Sequence, residues 1–433
     1  MKYISLGKDK QIVTLSEGIF KGLADDGSLF MPEEIPILDP SFYNRFTDLS
    51  LQEIAYNVLL PYVEDELNGD ALKKIVQETF SFPIPLENIC GPIYSLELFH
   101  GPTQAFKDVG ARFLSRLMSH LHPVKKRKMV VLTATSGDTG GAVAHGFYKV
   151  PGIEVVILYP KGKISPYQEN QMTSLGHNIH AIAVEGVFDD CQNLVKRAFN
   201  DGELRKEVMI TSANSINLGR LLPQMVYYFW GVAALRKKMP GINPVICVPS
   251  GNFGNITAAV MAFRMGLPVK RFVAATNVND VVPRYLNDGI YDPRQTIETY
   301  ANAMDVGNPN NFPRLFHLFN KDLDKLRQIF SAISITDKQI LETIQSVKQQ
   351  YDYLLDPHSS TGFLCLNQSL HDDEKGFFIS TAHPVKFVEI IEKVLPQESE
   401  RLIKEFGADK VPNNILKSMP VSYNVLKEKL LEV

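Results

Sequence analysis

Cysteine is scarce. The 433 residues hold four, Cys90, Cys191, Cys247 and Cys365, and no two are spaced as a CxxC pair. That argues against a disulfide framework or a cysteine-held metal, and predicts reduced, structural thiols suited to a cytoplasmic setting. An excess of one charge is missing too: 45 basic residues face 48 acidic ones, for a formal net charge of -3. Such a chain has no electrostatic footprint for nucleic acid or an anionic membrane. Its one basic run, Lys125-Lys126-Arg127-Lys128, reads as a solvated loop. No apolar run is long enough to span a bilayer. The longest, Leu221–Leu235, lies between Arg220 and Arg236, contains Pro223 and Gln224, and predicts a buried helix. Met1–Thr14 carries three early lysines with no apolar run behind them, so no secretory signal is expected. HExxH, GxSxG, GxGxxG and GxxxxGK[ST] are all absent, and no His/Cys set has metal-ligand spacing. Zinc hydrolysis, a serine elbow, a dinucleotide site and a P-loop lose their usual signatures, and no metal is expected.

What is present is the grammar of an α/β protein long enough for two or three domains. Residues 1–82 predict a separate, mostly helical unit, with Ile12, Leu15, Ile19 and Phe20 at helical spacing and helices at Leu51–Leu60 and Ala71–Phe80. Ser81-Phe82-Pro83-Ile84-Pro85 leads into residues 83–433. There, near-continuous apolar runs alternate with helical stretches: Met129–Thr135, Glu154–Tyr159, Ile179–Val184 and Val208–Ser212, then Val245–Pro249, Arg271–Thr276 and Gly376–Thr381. Apolar strands joined by helices indicate parallel sheets covered on both faces. The expected division is a smaller α/β subdomain over 105–240 and a larger one from 83–104 and 241–433. The irregular segment 277–311 is expected to cover the larger part.

Three stretches could carry chemistry. In Leu96–Phe113 a strand breaks at Gly101-Pro102, and Thr103 is a plausible cap for a helix whose first turn bears Lys107. A lysine at the positive end of a helix dipole is disfavoured as an ammonium, and the neutral amine is the form that attacks a carbonyl. A solvated surface lysine is the alternative. Thr135-Ser136-Gly137-Asp138-Thr139-Gly140-Gly141 follows a strand and opens a helix, a placement that suits an anion held by N–H and hydroxyl donors, or an ordinary tight turn. Pro249–Ile256, rich in Gly and Asn, has the same placement and can wrap successive amides around a phosphate. Thr381 ends the strand 376–380, where a hydroxyl can bond a ring heteroatom or simply cap a helix.

In order, HGPTQAFKD, LTATSGDTGGAVAHGF, YPKGKISPYQ, SANSIN, VPSGNFGN, AATNVNDVVPR and STAHPVKF resemble the threonine synthase family of fold-type II pyridoxal-phosphate enzymes, in the subgroup with an added N-terminal domain. The resemblance spans nearly the full length and implies a tryptophan synthase β-like fold, two parallel-sheet domains behind a mostly helical N-terminal one. It implies that Lys107 holds pyridoxal 5'-phosphate through its amine and then serves as acid–base group. The cofactor's phosphate would lie on Gly251, Asn252, Phe253, Gly254 and Asn255, its pyridine nitrogen at Thr381, and its 3-hydroxyl near Asp138, where relatives place asparagine. A carboxylate there is a puzzle, because it repels a phenolate. Ser136, Gly137 and Thr139 would grip the substrate's α-carboxylate, and Lys161, Lys163 and Arg220 are candidates for its phosphate. The implied reaction turns O-phospho-L-homoserine and water into L-threonine and phosphate. The chain would act as a monomer, with a homodimer as the alternative. A serine or threonine dehydratase, a cysteine synthase relative and an inactive binding scaffold are the rival readings.

Overall fold

The computed structural model describes residues 1–121, 129–408 and 417–433; the basic run 125–128 lies outside the described residues. Two parallel sheets form the body. In the larger, the spatial order is Phe330–Ser334, Arg271–Thr276, Val245–Pro249, Gly376–Ser380, Ile93–Glu97 and Leu86–Cys90. All neighbours there run parallel except the last pair, a short antiparallel hairpin at the edge. The smaller sheet runs Ser418–Met419, Ile179–Val184, Ile153–Pro160, Met129–Ala134 and Met209–Thr211, parallel throughout. Met129–Ala134 is buried at every position, as a strand with helices on both faces must be.

Two details depart from the sequence reading. The chain's end returns to the smaller sheet: Ser418–Met419 pairs with Ala183–Val184, and Leu426 and Leu430 of the helix Tyr423–Glu432 share a core with Val130, Leu132 and Val156. Residues 241–433 therefore do not all belong with the larger sheet. The run from Leu221 is not one helix either. Leu218–Leu221 and a 3-10 turn, Leu222–Gln224, precede the helix Met225–Lys238, and Pro223 sits in the turn, where its missing N–H costs nothing.

The N-terminal unit carries helices at Leu15–Lys21, Pro40–Arg45, Leu51–Val63 and Gly69–Thr79, plus a small antiparallel sheet of Tyr3–Ser5, Ile12–Val13 and Phe30–Pro32. Ile12 is in that sheet, not on a helix; the helix begins after Thr14, whose hydroxyl accepts from the Glu17 N–H in a capping box. Buried polar contacts weld this unit to the body. Arg314 donates to the carbonyls of Phe30 (2.9 Å from Nε, 2.7 Å from Nη2) and Ile216 (2.7 Å), and Asn217 Nδ2 donates to the Ile19 carbonyl at 2.9 Å.

Candidate active site

The sequence-predicted stretches all leave the carboxyl ends of strands, where parallel α/β sheets present their ligands. The helix Lys107–Leu121 opens at Lys107 itself. Thr103 does not cap it. Instead the buried Asp108 accepts from the Thr103 N–H (2.9 Å) and hydroxyl (2.5 Å), closing the turn that delivers Lys107. That turn is pinned from the neighbouring strand end. The Phe106 N–H donates to the Thr381 carbonyl at 2.8 Å, the His383 N–H to the Gln104 carbonyl at 3.0 Å, and Ala105 bridges Ala382. The Tyr227 hydroxyl donates to the Phe106 carbonyl. Thr381, itself buried, is thereby fixed beside Lys107.

Across from this turn, Gly137 and Asp138 start the helix Asp138–Phe147. Gly137 has φ +144°, and an added Cβ would stand 2.7 Å from the Gln168 side chain, so backbone conformation and space both call for glycine. Thr135 Oγ1 accepts from the N–H groups of Gly137 (3.0 Å) and Gly140 (2.9 Å), shaping the loop. Ser136 is exposed at its tip and Thr139 half-buried.

Asp138 is buried. Its Oδ1 accepts from Lys386 Nζ at 2.7 Å and from Gln168 Nε2 at 3.0 Å, while its Oδ2 stands 4.0 Å from Lys107 Nζ. Burial pushes the carboxyl up, but the ammonium of Lys386 and then that of Lys107 outweigh it, and Asp138 is held well below the usual carboxylate range. Lys386 is completely buried and was not singled out from the sequence. A buried ammonium needs a partner, but sequence alone does not show that this lysine is buried. Lys107 is shifted the other way: burial, against the pull of Asp138 and with the push of Lys386 and Arg220, lowers its amine from the ordinary lysine value to about 8.

Arg220 lies 3% exposed against the helix Lys107–Leu121, its Nε 2.7 Å from where a Cβ added to Gly110 would stand. Nη1 donates to the Ala213 carbonyl at 2.5 Å, and Nε has no partner among the described residues. Burial lowers its pKa to about 10, so it stays a cation. Lys161 and Lys163 are not drawn in: both are exposed on the turn after Ile153–Pro160, and Lys161 pairs with Glu185 at 3.2 Å.

The loop 250–255 has the form of an anion cradle. Phe253 sits in the left-handed region at φ +58°, turning the chain into the helix Gly254–Arg264. The N–H groups of residues 251–255 meet no protein acceptor among the described residues. Asn252 and Asn255 do not reach inward; they staple the loop, Asn252 to Ser215 Oγ (2.6 Å) and the Asn310 N–H (2.6 Å), and Asn255 to the Pro249 carbonyl (2.8 Å). An added Cβ on Gly251 would stand 2.6 Å from Met304 Cα and 2.8 Å from the Ala303 carbonyl oxygen. Unpaired amides at a helix start fit a phosphate, and a half-buried amine of lowered pKa fits the aldehyde of pyridoxal phosphate.

Among the described residues no group of His, Cys, Asp and Glu could hold a metal ion, and no helix is long and apolar enough to cross a membrane. Comparison with known proteins gives one answer. Residues 83–379 match the family model of pyridoxal-phosphate dependent enzymes, and residues 2–80 that of the threonine synthase N terminus. The chain is 46% identical to threonine synthase of Haemophilus influenzae over 395 residues, covering 91% of each. It superposes on the crystal structure of threonine synthase from Escherichia coli with a TM-score of 0.88 at 40% identity, covering 100% of both chains. With the PLP-bound threonine synthase of Brucella melitensis the TM-score is 0.91 at 33% identity, covering 100% of this chain and 99% of that one. On these matches, the chain belongs to the threonine synthase family of pyridoxal-phosphate dependent lyases.

Proposed function

We propose that the substrate is O-phospho-L-homoserine, converted with water into L-threonine and inorganic phosphate, and that the protein works in the cytoplasm. The observation that carries the substrate is a second anion-binding feature: a buried Arg220, with an unpaired Nε, within charge reach of Lys107 and separate from the 251–255 cradle. One phosphate belongs to the cofactor; the other cation is for the substrate's ester. Arg220 offers a planar fork of donors to that phosphate, better suited than the exposed Lys161 and Lys163.

The cofactor would be held by Lys107, by the amides of Gly251, Asn252, Phe253, Gly254 and Asn255, by the Thr381 hydroxyl and, beside the ring, by Asp138. When bound, pyridoxal phosphate supplies the electron sink that makes protons on carbons near the amino group removable. The chain supplies placement and proton transfer. Ser136, Gly137 and Thr139, at the start of the helix Asp138–Phe147, hold the α-carboxylate. The Lys107 amine, lowered to about 8, takes a proton from the α-carbon, releases it within the site, and is then free to take one from the β-carbon. Arg220 steadies the γ-phosphate as it departs, and Lys107 returns the β-proton to the γ-carbon, which becomes the methyl group. Water gives its hydroxyl to the β-carbon and its proton to the phosphate, and the α-carbon regains a proton through Lys107. Thr381 offers a neutral hydroxyl to the ring nitrogen, so nothing at that position forces the ring to carry a proton.

The test is phosphate and threonine release from O-phospho-L-homoserine by the cofactor-loaded protein, beside Lys107→Ala and Arg220→Met. Equal yields of the two products, lost in Lys107→Ala and sharply reduced in Arg220→Met, are expected. A dehydratase activity on serine or threonine that survives Arg220→Met would overturn the substrate assignment.

A further inference from the structure

Lys386 and Asp138 come from different sheets. Asp138 follows the strand Met129–Ala134 of the smaller sheet, and Lys386 lies in the short 3-10 turn Pro384–Phe387 after the strand Gly376–Ser380 of the larger. Their contact at 2.7 Å is among the most deeply buried ion pairs described here, with side chains 0% and 6% exposed. Lys107 stands 4.0 Å from the other oxygen of the same carboxylate. A single buried acid is thus shared unequally between two lysines.

We propose that Lys386 is a positioning residue for the reaction: it takes the hydrogen-bonding share of Asp138 and so leaves the Lys107 amine only the longer, weaker contact with that carboxylate. This rests on Lys107 being the reactive amine of the proposed function. Were Lys386 neutral, Asp138 would be a buried carboxylate with one ammonium in reach, and Coulomb attraction in a poorly solvated site would protonate Lys107 and draw it into a pair. A protonated lysine neither attacks an aldehyde nor takes a proton from carbon.

The other groups around these three do not replace Lys386. Asp108, on the helix of Lys107, is occupied by Thr103, and burial pushes its carboxyl up. Arg220 reinforces the push on Lys107 but makes no bond to Asp138. Tyr227 is held neutral by burial and donates to the Phe106 carbonyl. His145, on the helix of Asp138, is lowered by burial and then by Lys386 itself, so it adds no charge near neutral pH. His358 is turned to Asp356 through Nδ1 at 2.9 Å and accepts the Ala303 N–H at 3.1 Å. Gln168, from the helix Pro166–Thr173, gives Asp138 a neutral donor only.

The experiment is competitive acylation of lysines on the full chain freed of cofactor, read at Lys107 and Lys386 by peptide mass spectrometry across pH. It needs no turnover, so it stands even if the substrate assignment fails. In the wild type, Lys107 should label at distinctly lower pH than surface lysines while Lys386 resists until the chain unfolds. In Lys386→Met, labelling of Lys107 at pH 8 should fall about fivefold or more, as a displacement of about one pH unit or beyond requires. In Lys386→Met with Asp138→Asn, it should return to within about threefold of the wild type, which loss of packing alone would not do. Unchanged labelling in a natively folded Lys386→Met, or no recovery in the double variant, overturns the proposal. Should Lys386→Met not fold, the wild-type arm decides: if Lys107 and Lys386 label with one midpoint, or Lys386 labels first, Asp138 is not committed to Lys386 and the proposal fails.

Discussion

Gly251→Ala is the sharpest probe of the 251–255 cradle. The new Cβ would lie 2.6 Å from Met304 Cα and 2.8 Å from the Ala303 carbonyl oxygen, both backbone atoms that no rotamer change can remove. Ordinary contact lies at about 3.5–4.0 Å, so the two segments must part by roughly 1 Å. Two responses are open. If the 302–304 turn moves, it strains the bonds that hold it: Met304 N–H to the Ala301 carbonyl (2.9 Å) and Ala303 N–H to His358 Nε2 (3.1 Å). Overpacking costs about 1–3 kcal/mol and a buried acceptor left without its donor about as much again, with overlap between them, for a loss near 2–4 kcal/mol. If the loop moves instead, its amides leave their places and cofactor affinity falls by the same energy, about 30- to 1,000-fold. Urea unfolding of the cofactor-free variant and a cofactor titration together capture both routes. Gly202→Ala is the control, since a Cβ there meets nothing within 4 Å. A Gly251→Ala protein with the wild-type unfolding midpoint and wild-type affinity would refute the geometry.

Arg314→Leu should cost about 2–4 kcal/mol in urea unfolding, because it strips the Phe30 and Ile216 carbonyls of buried, charged donors; a loss under 1 kcal/mol would mean that the N-terminal unit is held without help from Arg314. Glu374 is pushed up by burial but lowered further, to about 2, by Arg271, the His371 N–H and Lys270. A carboxyl depressed in the folded state binds fewer protons there than in the unfolded chain, so its stabilisation is present above the unfolded value and is lost as pH falls from about 4.3 toward 2. Glu374→Gln should therefore flatten the fall in stability across that window, followed by urea midpoints at stepped pH; an equally steep fall would show that other carboxylates govern it.

Which parts of this site were legible follows from how local each signal is. Lys107, the turn 135–141 and the loop 249–256 declare themselves in contiguous residues, because a strand end, a glycine turn and a helix start must be adjacent in the chain. The parallel sheets show as apolar runs because both faces are covered. Phe330–Ser334 hides its signal: it is an edge strand, mostly half-buried or exposed, with polar residues interleaved. Ser418–Met419 and Ile12–Val13 are two residues long, too short for any period to register. Asn252 and Asn255 show their Gly/Asn-rich loop in the sequence, but not that their side chains bond Ser215, Asn310 and Pro249, partners set by the fold. Lys386 illustrates the limit. Its partner lies 248 positions away, and the chemistry of the residue appears only once segments that follow strands of two different sheets meet.

The energetics of that contact bear on why it exists. A buried ion pair is a poor source of stability: the desolvation of both ions cancels much of their attraction, and apolar residues of equal volume often do as well. Stability alone would therefore be served by methionine at 386 and leucine at 138. Specific placement of charge would not. With Lys386 at 2.7 Å and Lys107 at 4.0 Å from one carboxylate, the site holds two lysines in unequal contact with one acid, the first fully buried and hydrogen-bonded to it, the second half-buried with its amine lowered to about 8. An asparagine at 138 would take away the claimant on Lys107 but leave Lys386 an uncompensated buried cation; a neutral residue at 386 would do the reverse. The pair is thus a unit: the loss of Lys107 labelling in Lys386→Met should be restored by adding Asp138→Asn, before any loss of fold.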